Sequence, residues 1–253
     1  MIGLFIIATP ILLLGVVALL GFIGCDRVFG LETVVLPTAV TNFQSLIVQG
    51  DDAGNAQTAV SFSGSPKLIV VTLFYETGGS ASLSVTGGAF QPPFKSDSWS
   101  SYVIESSYAA NVPPGQNITV AATVSGQAGH RWYMCVSLYD QADPSNPVYS
   151  PNSANSIANG VIAPLTVNAL AGDDLIYSVV AVQNSGASFL ITGSLAVVSG
   201  PDAFQLEASN GPILVQDKQV TTPQTFSVSA DTSGTNAGRW YILAAGIKHG
   251  SNG

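Results

Sequence analysis

The chain has 253 residues, of which 9% are charged, against about 25% in an average soluble protein. Seven lysine and arginine residues stand against fifteen acidic ones, so the formal net charge is −8. Nucleic-acid binding requires clustered basic side chains, and their absence from the sequence argues against this function. Two cysteines, Cys25 and Cys135, are too few and too distant for a disulfide framework or a cysteine metal cluster.

The amino-terminal stretch is apolar throughout. Residues 2–24 carry no charge and a single polar side chain, Thr9. As a helix this stretch would span about 34 Å, enough to cross a bilayer core of about 30 Å. Membrane helices tolerate a proline such as Pro10. The sequence therefore predicts an N-terminal hydrophobic helix that enters a membrane, with residues 1–25 as an anchor or signal segment.

Two fates of this segment remain open. The box Phe22-Ile23-Gly24-Cys25 resembles a bacterial lipoprotein cleavage site, after which Cys25 would carry the lipid. However, the phenylalanine departs from the usual leucine, basic residues are missing before the run, and the run is longer than the usual ~7–15 apolar residues. The length favours an uncleaved transmembrane anchor. In either case residues 26–253 lie outside the cytoplasm, at the cell surface or in the periplasm.

Residues 26–40 are predicted to form a spacer, because Pro37 opposes extension of the N-terminal helix that far. From residue 41 to residue 249 no helical period persists. Short runs rich in β-branched and aromatic residues, such as KLIVVTLFY and RWYILAAGIK, recur between turn-forming clusters. This pattern predicts an all-β domain over 41–249, built as an antiparallel, jelly-roll-like sandwich.

An internal repeat runs through this domain. GQNITVAATVSGQAGHRWY at 115–133 aligns without gaps on PQTFSVSADTSGTNAGRWY at 223–241. Upstream, LIVVTLFY at 68–75 matches LIYSVVAV at 175–182. The repeat predicts two related halves of similar length.

These halves, about 60–140 and 165–248, each hold few recognisable strands. A half with so few strands could not bury both faces of a sheet by itself. We therefore expect one sandwich made of both halves. Two tandem domains remain an alternative on size alone.

Five stretches resemble a loosely defined β-sandwich family of exported bacterial, archaeal and phage proteins: KLIVVTLFY, YAANVPPGQNITVAATVSG, CVSLYDQADPSNPVY, AGDDLIYSVVAVQ and GRWYILAAGIK. Members of this family often stand beside fibronectin type III or lectin-like modules. The resemblance covers roughly residues 42–248 and rests on strand patterns. It implies a β-sandwich and an exported location, and because the family has no common activity, it implies no reaction.

An acidic pair occurs at Asp51-Asp52 and another at Asp173-Asp174. With Asn55, the first pair could supply oxygen ligands to Ca²⁺. Aspartate, glycine and asparagine are also favoured in turns for backbone reasons, and neither stretch forms a complete calcium loop. The sequence favours turns at both pairs, and Asp51, Asp52 and Asn55 are the candidate metal ligands.

The two histidines, His130 and His249, have no cysteine or carboxylate at metal-ligand spacing. The sequence contains neither a serine-hydrolase elbow nor an HExxH motif. Catalysis would need a cleft that holds His130 with an acidic partner. We therefore expect no catalytic residue and no resident cofactor, with Ca²⁺ as the one candidate ion, and we expect Cys135 to be a small buried residue.

Aromatic residues offer the remaining candidate site. Trp99 has polar neighbours, which predicts a loop or strand edge where an exposed ring could stack on a sugar or anchor a partner. Tyr102 and Tyr108 are weaker candidates for the same role. The sequence favours a partly buried ring at a strand edge over this binding role. Trp132 and Trp240 occupy equivalent repeat positions on apolar strands, and we expect both in the core.

Together these features predict a non-catalytic, membrane-anchored, extracytoplasmic β-sandwich that serves as a surface, adhesion or envelope-assembly module. Its partners would be the membrane, through residues 2–24, and a glycan or protein at the cell surface. A carbohydrate-binding module is one alternative. A self-assembling subunit of an extracellular filament or coat is another, because few charges and apolar sheet edges favour association between copies.

Overall fold

The computed structural model describes residues 39–50, 55–64, 67–113, 115–126, 132–157, 161–183, 190–193, 204–208, 211–233 and 239–250. The predicted helix at residues 2–24 lies outside these ranges. Within them, no helix is long and apolar enough to cross a membrane. The regular elements of this part of the chain are all β-strands, so the prediction of an all-β fold is confirmed.

The strands are numbered in chain order. They are β1 (Thr41–Gln49), β2 (Asn55–Gly64), β3 (Leu68–Glu76), β4 (Ser80–Val85), β5 (Lys95–Trp99), β6 (Tyr102–Ala110), β7 (Gly115–Ser125), β8 (Tyr133–Asp140), β9 (Val148–Ser156), β10 (Leu165–Ala169), β11 (Leu175–Gln183), β12 (Leu190–Gly193), β13 (Phe204–Ala208), β14 (Gly211–Gln219), β15 (Gln224–Val228), β16 (Ala230–Ser233) and β17 (Arg239–Ile247).

All pairings between these strands are antiparallel. Large sheet I has the order β1-β8-β3-β6-β5, and small sheet I has the order β2-β7-β4. Large sheet II has the order β9-β17-β11-β14-β13, accompanied by two ribbons, β10–β15 and β12–β16. We call β1–β8 the first half and β9–β17 the second half. The two large sheets correspond strand for strand, since β3 pairs with β8 as β11 pairs with β17.

The sequence of β3 shows why the large sheets are buried on both faces. LIVVTLFYE is continuously apolar over most of its length and does not alternate. Val70 and Phe74 lie in the core between the two large sheets, whereas Val71 and Leu73 lie in a core on the opposite face. A short, unbroken apolar run of this kind is typical of a strand covered on both sides.

Three apolar cores separate the layers. The central core lies between the large sheets and combines Tyr139 of one with Tyr177 of the other. The first outer core joins large sheet I to small sheet I and contains Trp132. The second outer core joins large sheet II to the β10–β15 ribbon and contains Trp240 and Phe226. The predicted burial of Trp132 and Trp240 is confirmed.

The arrangement has more layers than the sequence led us to expect. Each half has an outer core of its own, so a half has enough strands to cover the outer face of its large sheet. It needs the other half only for the inner face. The sequence concealed this because β2 of small sheet I, with the sequence NAQTAVSFSG, is rich in polar residues.

Polar side chains cross the central core. The hydroxyl oxygen of Thr72 lies 3.0 Å from that of Tyr177 and 2.8 Å from that of Ser106. Asn42 donates a hydrogen bond through Nδ2 to Asp217 Oδ2. Asp217 is only 5% exposed. Burial raises the pKa of its carboxyl to about 6, and the hydrogen bond from Asn42 partly offsets that effect.

The turn between β5 and β6 is held by the second half. Its residue Ser100 has a φ of 57° and accepts a 2.7 Å hydrogen bond from Arg239 Nη1. The Trp99 indole donates through Nε1 to the carbonyl oxygen of Ser156 at 3.1 Å. The edge of large sheet I is therefore fastened to β9 and β17 by hydrogen bonds as well as by apolar packing.

Candidate functional site

Some of the predicted site residues are not part of the described structure. Cys25, Asp51 and Asp52 lie outside the described residues, and Asn55 is known only as the first residue of β2. The lipidation site and the calcium site therefore stay predictions. In the described ranges, no group of three or more His, Cys, Asp or Glu residues could hold a metal ion.

Trp99 is not the exposed aromatic that its polar neighbours predicted. It is 3% exposed and belongs to the central core. Its ring stacks on Tyr102 at a centroid distance of 6.2 Å and lies 6.3 Å from the ring of Tyr241. The alternative of an exposed stacking ring is therefore contradicted, whereas the favoured interpretation of a ring at a strand edge agrees with its place on β5. The ring is buried more deeply than expected because KSDSW alternates and its inward face meets the second half.

Tyr102 and Tyr108 are both half-buried and pack against the central core. They are six residues apart on β6 and therefore about 20 Å apart along the strand. Tyr102 stacks on Trp99, whereas Tyr108 lies 6.4 Å from the ring of Phe94. The three predicted ligand-binding aromatics thus do not meet in one exposed platform.

Sequence reasoning missed a contact between His249 and Asp174. Nδ1 of His249 lies 3.0 Å from Asp174 Oδ1, and the same oxygen accepts the backbone N–H of His249 at 3.0 Å. Asp174 is fully buried, and its second oxygen accepts the Tyr149 hydroxyl at 2.8 Å and the Ala171 N–H at 3.2 Å. Because both oxygens are held by donors, this carboxylate fastens the end of β17 to the turn before β11.

An ion pair adjoins this contact. Lys248 Nζ lies 2.8 Å from Asp143 Oδ2. The hydrogen bond from Lys248, followed by that from the Ser145 side chain, holds the pKa of Asp143 well below its usual range. His130, the residue that catalysis would have needed, lies outside the described residues.

Cys135 has no exposed area and lies in the central core. Burial raises the pKa of its thiol well above the ordinary value. The reactive thiolate is therefore not populated at neutral pH. The expectation that Cys135 is a small buried residue is confirmed.

A groove opens in the first half because large sheet I is wider than small sheet I. β6 and β5 extend large sheet I beyond β3, whereas small sheet I ends at β4. After β4 the chain crosses over to run beside β6. There the backbone N–H groups of Gln91 and Phe94 donate to the backbone carbonyl oxygens of Tyr108 and Ser106, respectively. The stretch FQPP at 90–93 and strand β4 are the two walls of this groove.

The groove has a volume of about 430 Å³, which falls in the range of ~300–1,000 Å³ that is usual for ligand sites. Its lining combines apolar side chains with polar groups, and the polar groups contribute slightly more of the exposed surface. The lining residues are Leu73, Ala81, Ser82, Leu83, Phe90, Gln91, Pro92, Pro93, Glu105 and Ser107.

The wall formed by β4 is the edge of a sheet. Within the described part of the chain β4 pairs along its length only with β7, and a single bridge from Val85 to Gly88 closes its far end. The sequence SASLSV alternates, so that Ala81 and Leu83 are half-buried between exposed serines. An edge strand presents unpaired backbone N–H and C=O groups. This wall can therefore accept another strand as well as apolar side chains.

Glu105 is the acidic side chain of the groove lining. Burial, followed by the charge of Glu105 and its hydrogen bond with the Tyr75 hydroxyl, raises the pKa of Tyr75 to about 12. Glu105 takes part in none of the ion pairs between described residues. A carboxylate without a cation in a groove favours a positively charged group on whatever binds there.

The second half has no carboxylate at this place. Glu105 lies opposite Leu73 in the sheet, and Leu214 lies opposite Val180, the repeat counterpart of Leu73. Leu214 is 1% exposed and packs in the second outer core. The second half also lacks the tyrosine that Glu105 contacts, because the repeat counterpart of Tyr75 is Val182. The carboxylate at position 105, and the hydrogen bond that it shares with Tyr75, are therefore features of the first half. Sequence reasoning missed Glu105 because β6 and β14 are too dissimilar to align.

No protein-family model, curated protein or solved structure matches the chain. The resemblance to exported β-sandwich domains therefore stays a prediction. The functional argument rests on the groove and its residues.

Proposed function

We propose that the chain is a membrane-anchored, extracytoplasmic, non-catalytic module that binds a surface partner in the groove of its first half. The observation that carries this proposal is the groove itself, which joins an open strand edge, a lining of both apolar and polar groups, and the carboxylate of Glu105. Glu105 accepts a hydrogen bond from the Tyr75 hydroxyl and pairs with no described lysine or arginine, so its charge remains available to a bound cation.

The proposed architecture is a sandwich of two related, jelly-roll-like halves. In the first half, successive strands alternate between large sheet I and small sheet I from β1 to β4 and again from β6 to β8. Interleaving of this kind supports a jelly-roll arrangement. The matching strand order of large sheet II supports the same arrangement for the second half.

The proposed anchor is residues 2–24, on the length and apolarity of that run. The intact mass of the protein, purified from its native membrane, tests this part. A mass that retains residues 2–24 is the expected result. A mass that lacks them and carries acyl chains would make Cys25 a lipidated first residue and would replace the helix by a lipid anchor.

The groove is tested by site-specific photo-crosslinking in the native membrane. A photoreactive amino acid replaces Leu83, which lines the groove, and in the control it replaces Ser84, which is exposed on the same strand. We expect a discrete adduct at position 83 that is absent or much weaker at position 84. Equal labelling of many species from both positions would contradict a partner site in the groove.

A coat or filament subunit is the second candidate, because jelly rolls recur in viral capsids as well as in lectins. The tandem strand order of the two halves favours it over other structural roles. Electron microscopy of the full chain in detergent would reveal rings or filaments if this candidate holds. Monomeric particles at all concentrations would count against it.

The hypothesis of a carbohydrate-binding module is weakened, because its main candidate contact, Trp99, lies in the central core. The half-buried Tyr102 and Tyr108 remain as its candidate contacts. Saturable binding of the full chain to an immobilised glycan panel would revive this alternative.

A further inference from the structure

We propose that the groove takes an extended peptide strand that carries a lysine or arginine, adds to the edge of β4 and places its cation against Glu105. This inference rests on the proposed function of the groove and names the chemical class of its partner. The partner would be a protein with an exposed, extended segment of this kind.

The backbone argument comes from β4. Its six residues offer an edge about 20 Å long, which matches a typical short strand. Added strands form main-chain hydrogen bonds that supply affinity, while every second side chain enters a pocket and supplies specificity. Here the inward-facing Ala81 and Leu83, together with Phe90, are only half-buried and form the apolar surface that these alternate side chains would meet.

The charge argument comes from Glu105. Its carboxylate lies in the lining of the same groove, and no described lysine or arginine pairs with it. The formal net charge of the chain is −8, which attracts basic partners over a distance. A lysine or arginine on the bound strand would pair with Glu105, and the strand itself would shield this pair from part of the water, so the pair is stronger than a fully exposed one.

The experiment uses the full chain in lipid nanodiscs and a phage-displayed library of short random peptides. Three proteins are compared: the wild type, Glu105→Gln, which removes the charge, and Glu105→Leu, which installs the side chain found at position 214 in the second half. We expect the wild type to select peptides with a lysine or arginine at a fixed distance from alternating apolar residues. Both variants should lose the basic preference and retain the apolar one.

A selected peptide is then synthesised with its ordinary backbone and with N-methyl groups on alternate amides. We expect Kd to rise about tenfold for Glu105→Leu and at least as much for the N-methylated peptide, because each loses a defined part of the interaction. Binding of the ordinary peptide should also weaken with salt in the wild type and much less in Glu105→Gln. Unfolding curves of each variant show whether it is folded.

Three results would overturn the inference: no enrichment of basic residues, equal Kd values for wild type and Glu105→Leu, or no effect of N-methylation. If one of these results is found together with a discrete crosslink at Leu83, the groove still binds a partner. Only the inference that this partner is an extended strand with a basic residue is then refuted. A selected peptide that binds as expected, without a crosslink at Leu83 in the native membrane, would refute the proposed function and leave the chemistry of the groove standing.

Discussion

The hydroxyl of Tyr241 donates a 2.8 Å hydrogen bond to Asp97 Oδ2, so that β17 of large sheet II is joined to the edge strand of large sheet I. Asp97 also lies 3.3 Å from Lys95 Nζ. Burial of Tyr241, followed by the charge of Asp97, raises the pKa of Tyr241 above its ordinary value. The tyrosine is therefore a neutral donor that links the two halves.

Replacing Tyr241 by phenylalanine should lower the free energy of unfolding by about 1–2 kcal/mol, because Asp97 loses a buried donor while the ring stays in place. Urea denaturation measures the change. A double-mutant cycle with Asp97→Asn should give a coupling energy above about 0.5 kcal/mol. Strict additivity of the two changes would show that the contact contributes nothing.

Asp217 should make stability depend on pH. Its pKa is about 6 in the folded chain against an ordinary value of 3.8. The folded state therefore holds the proton more tightly, so the stabilisation is complete below pH 3.8 and is lost as pH rises through about 6. This shift corresponds to about 3 kcal/mol between the two limits.

The variant Asp217→Asn cannot ionise and still offers an oxygen to the Nδ2 donor of Asn42. We expect its free energy of unfolding to exceed that of the wild type at pH 7 and the advantage to disappear near pH 4. Urea denaturation of both proteins over this pH range provides the comparison. Parallel profiles would mean that Asp217 ionises in the folded state as easily as in water.

Substitution of Trp99 should change stability and leave sugar binding unchanged. Trp99→Phe removes the hydrogen bond to the Ser156 carbonyl and should cost about 1–2 kcal/mol. Trp99→Ala leaves a cavity in the central core and should cost about 3–5 kcal/mol. Thermal unfolding gives the first readout and a glycan panel the second. A folded Trp99→Phe protein that loses affinity for a sugar would contradict the assignment of Trp99 to the core.

Asp174 should be among the most sensitive polar positions. Asp174→Asn places an amide donor against donors from Tyr149, Ala171 and His249, and should cost about 3 kcal/mol. Tyr149→Phe removes one of these donors and should cost about 1 kcal/mol. Hydrogen exchange should accelerate at the backbone N–H of His249 in the first variant more than in the second. Equal exchange rates at the His249 N–H in the two variants would show that Asp174 does not hold the segment after β17 in place.

Much of the fold could be predicted because the strands of the cores are unusually apolar. β3 and β17 are buried on both faces, and continuous apolar runs such as theirs are visible in the sequence. β9 could not be recognised in this way. Its strand conformation comes from pairing with β17, and its own exposed serines and asparagines have little preference for a sheet.

The site was less accessible to sequence reasoning, because its parts are distant along the chain. Leu83 and Glu105 belong to different sheets, and the groove exists only because these sheets have different widths. The polar neighbours of Trp99 correctly indicated that the outer face of β5 is exposed. The inner face of β5, which carries Trp99, is covered by residues of the second half. Sequence periodicity identifies which face is apolar and does not reveal what covers it.

The inner faces of the large sheets are covered by one another in the central core. A half by itself would leave Leu68, Val70 and Phe74 on an uncovered face. Because both halves belong to one chain, their association does not depend on protein concentration, as that of a dimer does. A symmetric dimer carries the same residue at every equivalent position of its two copies. Two halves within one chain can differ, as Glu105 and its counterpart Leu214 do.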